Sequence, residues 1–438
     1  MTLEEDILRA EKEIKREIKK LKLDFVLNEI EIPLIPIVKK MNKNGFLIDV
    51  KKLDKVSTEF KKKSSQLEEE IYQLAGEKFN IKSTQQLSKI LFEKLKLPSK
   101  GLKKTPKGVI STKESELEKI RETNQIIDKI LSFREFNKLI STYLDNIKKM
   151  ISPDGRLRAT FLQTGTSTGR MSSKEPNLQN IPTRTENGKK IRSFFVAEKR
   201  YSLVSFDYSQ IELRVAAILS QDNRMLKIFE KNDDIHSAVA KDIFGEINKE
   251  NRRKAKVINF GILYGMGVNS LKKNLGDDTT VAEAREYLNN YFEKYKGLAE
   301  FLEKTKNSVK EKGYSETLFG RKRFFPNINS KIPFLKAMAE RMAINAPIQG
   351  TATGDIIKLA MIAVDKYLQD NKLNNQVKML AQIHDELIFE IEQDSLKKIV
   401  PKIQEIMENI LVNQKIDKKY KKIQLKTVVS IGNNWGEL

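Results

Sequence analysis

Two aspartates stand at the ends of apolar runs. Asp207 closes the run Leu203–Phe206, and Asp385 follows Leu380–Ile383 and His384, with Glu386 directly behind it. A carboxylate in an apolar segment is costly unless something compensates it. Two carboxylates brought together cannot both stay ionised cheaply, but a divalent cation removes the conflict. Mg²⁺ suits such a place, because it takes a few carboxylates and completes its shell with water and phosphate oxygens. Two such ions roughly 3.5–4 Å apart clamp an in-line displacement at phosphorus. Taken alone, Asp385 reads equally as a hairpin-turn residue, a position that favours Asp.

A second constellation lies in 251–266. Arg252, Lys256, Phe260 and Tyr264 follow one another at steps of four. On a helix they share one slowly drifting face about 18 Å long. Cations at one end suit a polyphosphate, and aromatics beyond them suit a sugar or base. A surface helix whose aromatic end enters the core is the plainer reading. It does not explain why cations and aromatics share one stripe.

The remaining chain must position these residues. It has 438 residues, 32% charged and 39% hydrophobic, with only 20 Gly and 11 Pro, which favours several helix-rich units. The formal net charge of +22 points to a polyanion partner, although a Lys-rich composition contributes to it. No cysteine is present, so disulfides and thiolate metal sites are excluded and a cytoplasmic location is permitted. The first twenty residues carry too much acid for a targeting peptide, and the apolar stretch at 32–38 is too short and Pro-interrupted to cross a bilayer. A soluble protein is expected.

Periodicity predicts a charged helix over 2–23, a strand at 46–50, helices over 54–75 and 114–149, and a basic Gly/Lys/Pro/Thr loop at 98–112. The polar stretch 163–184 is longer than a purely connecting loop usually is. A strand at 201–209 leads into a helix near Gln210. Helices follow over 251–266, 281–312, 334–346 and 350–370. A strand pair carrying Asp385, a helix over 395–413 and a strand at 425–432 complete the chain.

Together these motifs resemble DNA polymerase family A, the group of bacterial DNA polymerase I. "DYSQIELR" (207–214) and "QIHDE" (382–386) resemble its two palm motifs, and "RRKAKVINFGILYG" (252–265) its fingers-helix motif. "TGRMSSKEPNLQNIPTR" (168–184), "TLFGRKRFFP" (317–326) and "ERMAINAPIQGT" (340–351) match further blocks, and "LFEKLKLP" with "KKTPKGVIST" resembles the thumb and its tip.

The resemblance implies an α+β right-hand fold with an antiparallel palm sheet, helical fingers and helical thumb. It implies an N-terminal extension at 1–29, palm at 30–53, thumb at 54–145, palm again at 146–213, fingers at 214–345 and palm at 346–438. Asp207, Asp385 and the carbonyl of Tyr208 would hold two Mg²⁺, which Mn²⁺ can replace, with Glu386 as a supporting acid. Arg252, Lys256 and His236 would grip the triphosphate, with Lys256 as general acid for pyrophosphate. Phe260 and Glu212 would border the sugar, Gln210 would lie at the nucleotide, and Tyr264 would occupy the templating position until the fingers close. Arg170, Gln179, Asn180, Arg184, Arg341, Asn345, Gln349, Gln382 and His384 would hold primer and template, and Lys103, Lys104 and Lys107 the backbone at the thumb tip. Donors in the minor groove can check pair shape without reading sequence, because its acceptors are shared by all correct pairs.

These features predict a monomeric, template-directed DNA polymerase of replication and repair, acting on primer-template DNA and dNTPs. No "DxE"-type exonuclease motif precedes the palm, so no 3′→5′ exonuclease is expected. In "QGTATGDIIK" (349–358) one residue more than the family usually has separates Gln-Gly from Asp. A local bulge near Gly354 should absorb it. The rival readings are an RNA-templated polymerase on the same fold, a catalytically weak nucleic-acid-binding relative, and a metal-dependent nuclease. The last has no use for the Arg/Lys/Phe/Tyr stripe.

Overall fold

A computed structural model describes residues 3–183, 185–276 and 278–438. Its centre is a four-stranded antiparallel sheet in the order Thr427–Gly432, Tyr201–Tyr208, Glu386–Glu392, Val377–Ile383. The strand Tyr201–Tyr208 is buried from Ser202 to Phe206 and opens only at Asp207. Its partner Glu386–Glu392 is buried through Leu387–Ile391. Near-continuous apolar runs therefore mark a sheet covered on both faces, and the carboxylates sit where that cover ends.

His384 and Asp385 form the two-residue turn of the hairpin, and His384 takes a left-handed φ of 57°. Asp385 is thus a turn residue as well as a site residue. The helix Ile357–Asp370 packs on Leu396–Glu408 and on Ile32–Asn44, and the last of these also lies against Val377–Ile383. A smaller sheet of Arg156–Leu157, Phe46–Ile48 and Phe195–Val196 closes round Trp435, whose ring stacks on Phe46 at 5.4 Å.

Four expected elements differ from those observed. The strand at 46–50 stops at Ile48, because Asp49 accepts the N–H of Lys52 at 2.9 Å and caps a helix running Val50–Ala75. The helix expected over 114–149 is broken. Ile120 leaves helical geometry at φ −116°, and Asn124 restarts the chain by capping Gln125–Leu139. The helix expected over 281–312 is two, Val281–Lys294 and Lys296–Lys312, hinged at Tyr295. That tyrosine turns inward to donate to Asp242 at 2.8 Å.

The helix expected over 350–370 opens as a π-helical turn, Gly350–Ile356, between Pro333–Gln349 and Ile357–Asp370. The expected bulge at the extra residue is therefore present, as one wide turn rather than a break.

Three apolar cores result. The largest surrounds the central sheet. A second, separate core runs from Leu67 to Phe133, and a third gathers Val309, Phe325, Ile328 and Ala339–Ala346. Among the described residues no helix is long and apolar enough to cross a membrane.

Candidate active site

The open end of the central sheet forms one wall of a cleft of about 480 Å³. In register, Asp207 faces Glu386 across the sheet, and the N–H of Tyr208 donates to the carbonyl of Asp385 at 3.1 Å. Asp207 and Asp385 both line the cleft. Asp207 is open along its mouth, yet its carboxyl is pushed up to about 7, first by the desolvating walls and then by the charges of Asp385 and Glu386. Burial likewise raises Asp385. Glu386 is raised too, mainly by burial, against a hydrogen bond with Ser205 and the charge of Arg192. It stands beside the cleft rather than in its lining.

Among the described residues this negative charge has no salt-bridged base, and it fits divalent cations. Among the described residues no three acidic or histidine side chains converge on one point. Two carboxylates and an open cleft suit a cation that keeps part of its shell for water and substrate oxygens. Tyr208 also lines the cleft, but its phenol donates to the Met407 carbonyl at 2.8 Å, so only its main chain is left for the site.

The opposite wall is the helix Lys249–Leu263 with its C-cap Tyr264. Arg252, Lys256, Phe260 and Tyr264 all reach the cleft, so the stripe seen in the sequence is a real face. Arg252 pairs with Asp234 through Nε at 2.8 Å, and Gln210 donates to the same carboxylate at 3.2 Å. Burial works to raise Asp234, but the bonds from Arg252, Ser237 and Gln210 prevail and hold it well below the usual carboxylate range. His236 lies tilted against Phe260, ring centroids 5.9 Å apart, and is pushed down to about 4 by burial, with Arg252 and Lys256 adding to the effect. Tyr291 donates to Asn259 Oδ1 at 2.9 Å, which leaves Asn259 Nδ2 to meet His236 Nδ1 at 3.0 Å. That network sets a neutral imidazole with its proton on Nε2.

Glu212, in the first turn of Ile211–Ser220, closes the cleft floor. It accepts from Tyr264 at 2.9 Å and from Arg170 at 2.6 Å. Burial raises its pKa against the pull of Arg170, Tyr264 and Gln349. Tyr264 is itself pushed up to about 12 by burial and by the Glu212 charge.

The other expected contact residues divide. Gln179 donates to Gln382 at 3.2 Å, and the buried Gln382 donates in turn to the His384 carbonyl, so these three form one strip beside the hairpin turn. Asn180 is exposed, and its carbonyl accepts from Tyr143 at 2.7 Å. Arg341 is exposed beside Gly265. Asn345 is buried and donates to the Leu263 carbonyl at 3.1 Å, so it braces the end of the facing helix instead of reaching the cleft. Arg184 lies outside the described residues. Lys103, Lys104 and Lys107 are exposed far along the chain's second core, and Lys107 borders a larger cleft of about 1010 Å³.

Sequence reasoning missed Asp234, Asn259 and Thr353. Asp234 carried a signal, because "DDIHS" has the form of an N-cap and Asp234 accepts from Ser237. The other two depend on partners remote in sequence.

The antiparallel sheet, the helical units on either side and the cleft between them define a right-hand polymerase fold. The model of DNA polymerase family A matches residues 50–437, and the chain belongs to that family. It is 41% identical over 418 residues to DNA polymerase I of Pseudomonas aeruginosa, covering 94% of this chain and 44% of that one. It is 42% identical over 421 residues to DNA polymerase I of Caldicellulosiruptor bescii, covering 94% and 47%. The chain spans about half the length of the curated relatives it matches. The POL domain of Pol1 from M. smegmatis, solved in complex with DNA primer-template and dNTP, superposes with a TM-score of 0.88 at 33% identity, covering 96% of this chain and 73% of that one.

Proposed function

We propose that this chain is a monomeric, template-directed DNA polymerase that adds dNTPs to a primer 3′-OH by phosphoryl transfer. The observation that carries this is one cleft with two opposed walls: Asp207 and Asp385 on the sheet, and Arg252, Lys256, Phe260 and Tyr264 on the facing helix. Asp207, Asp385 and the Tyr208 carbonyl would hold two Mg²⁺ ions, which would supply acidification of the 3′-OH and neutralisation of the triphosphate.

The protein's own groups do the rest. Arg252 exchanges Asp234 for phosphate oxygens, a charge-assisted contact of the same kind. Neutral His236 offers Nε2–H as a further donor. Lys256 donates a proton to pyrophosphate as it leaves. Phe260 and Glu212 enclose the sugar, and Tyr264 holds the templating place until it releases Glu212. Arg170, Gln179, Gln382 and His384 rim the primer side. Lys103, Lys104 and Lys107 reach the duplex backbone from the thumb, whose tip has its own core.

The chain is read as lacking 3′→5′ exonuclease. The acids ahead of the palm, such as Glu11 and Glu17, are engaged in surface pairs with Lys15 and Lys20. Primer extension on DNA and RNA templates, with each dNTP or rNTP and with Mg²⁺ or chelator, tests the whole reading. Growth of the primer with dNTPs on DNA, abolished by chelator, is expected. Duplex binding with no extension in Mg²⁺ or Mn²⁺ would leave a binding protein instead.

A further inference from the structure

The wide turn Gly350–Ile356 delivers a side chain to the cleft. It is pressed flat against its neighbours: a Cβ on Gly354 would lie 2.9 Å from the Thr168 carbonyl oxygen, and one on Gly350 2.7 Å from the Thr317 methyl. On its far side Asp355 is fully buried and accepts from Arg321 Nε at 2.7 Å. Arg321 also pairs with Glu31 at 2.6 Å, and Glu31 with the buried Lys358 at 2.7 Å. The turn is therefore clamped from both sides and cannot drift.

Thr353 is the residue this turn presents. It lines the cleft while remaining only 2% exposed. Its hydroxyl accepts from Arg170 Nε at 2.5 Å and donates to the Gln349 carbonyl at 3.0 Å. Nη2 of the same guanidinium donates to Glu212 at 2.6 Å. A guanidinium is a rigid planar fork, so acceptors at two of its nitrogens, Nε and Nη2, restrict both its place and its plane. An α-helical register with one residue fewer would swing this position by about 100°. The hydroxyl would then leave Arg170.

We propose that Thr353 is a positioning residue: through Arg170 it fixes the Glu212 carboxylate, and so sharpens the choice between deoxyribose and ribose. The proposal rests on the polymerase reading above. Without the Thr353 hydroxyl, Arg170 keeps Glu212 but loses its second anchor, and both swing over a wider arc. A 2′-OH then finds room, or a partner, more often.

The test compares kcat/KM for rNTP and dNTP in the wild type, Thr353→Val and Thr353→Ser, with thermal melts alongside. Val keeps the shape and removes the hydroxyl; Ser keeps the hydroxyl. The rNTP/dNTP ratio should rise about fivefold in Thr353→Val, the loss expected for one hydrogen bond. It should return to within about twofold of wild type in Thr353→Ser. Should Thr353→Val fail to fold, Thr353→Ala carries the same comparison. An unmoved ratio in Val, or an equal rise in Ser, would overturn the proposal; equal loss of both activities would show a structural role only. Failure of the unaltered chain to extend a primer would sink the polymerase reading and this inference together.

Discussion

The Tyr264 hydroxyl donates to the Glu212 carboxylate at 2.9 Å. This bond ties the end of the cation-bearing helix to the floor beside Asp207. On the polymerase reading proposed above, a nucleotide entering the cleft would meet a Glu212 already engaged by Tyr264 and Arg170.

Trimming Glu212 to Ala should raise rNTP incorporation relative to dNTP. The carboxylate is enclosed by Tyr264, Arg170 and Gln349, so a 2′-OH beside it meets both a clash and no free partner. Overall turnover should fall somewhat, because the mutation also frees Tyr264 and Arg170. An unchanged ratio of kcat/KM for the two sugars would place the gate elsewhere.

Asp207→Asn and Asp385→Asn should each abolish nucleotide addition while primer-template binding persists. Both line the cleft, whereas Lys103, Lys104 and Lys107 do not. Single-turnover extension beside a binding isotherm separates the two effects. Near-wild-type turnover in either variant would remove that residue from the chemistry.

Duplex affinity should fall steeply with salt. Replacing the exposed Lys103, Lys104 and Lys107 by Ala should flatten the log–log slope by about 0.9 for each lysine that sits on a phosphate. A slope that does not change would mean that this tip makes no backbone contact.

His236 sets a pH dependence of folding. Its pKa is lowered to about 4, below the ordinary 6.5, by burial first, with Arg252 and Lys256 opposing Asp234 on the same side. The unfolded chain therefore binds the extra proton between those values, and stability drops as pH falls through that window. The ceiling is roughly 3 kcal/mol, from the size of the shift at about 1.4 kcal/mol per pKa unit. His236→Gln should lose less stability than wild type between pH 6.5 and 4, and match its trend above 7. Parallel denaturation curves across the window would show that the imidazole is not the group responsible.

Much of this site was legible because its parts are local. Asp207 and Asp385 end apolar runs that could only be buried strands, and the Arg252–Tyr264 stripe follows helical spacing. The extra residue at 349–355 also announced irregular backbone, and Gly354 said where. The breaks at Ile120 and Tyr295 were not legible. Each is made by tertiary partners, such as Asp242 for Tyr295, and the surrounding periodicity runs straight through them. Thr353 was hidden for the same reason. Nothing about a threonine in "GTATGD" says that Arg170 lies 2.5 Å away. Asn345 has a type suited to a groove contact, and in the structure its amide donates to the Leu263 carbonyl, a partner the sequence did not announce.

The core that runs from Leu67 to Phe133 is separate from the one around the central sheet. The helix Val50–Ala75 joins the main core at its base, Leu53, Val56 and Phe60, and Gln125–Leu139 joins it only at its end, Leu139, with Phe136 packed against both cores. Such a division makes the tip a cooperative opening unit of its own, with a free energy of opening below that of the whole molecule. Amide hydrogens in Gln125–Leu139 should exchange through that partial opening, while those of Tyr201–Tyr208 wait for global unfolding. The part of the chain that would wrap the duplex can thus loosen and re-form while the carboxylates stay fixed on the sheet.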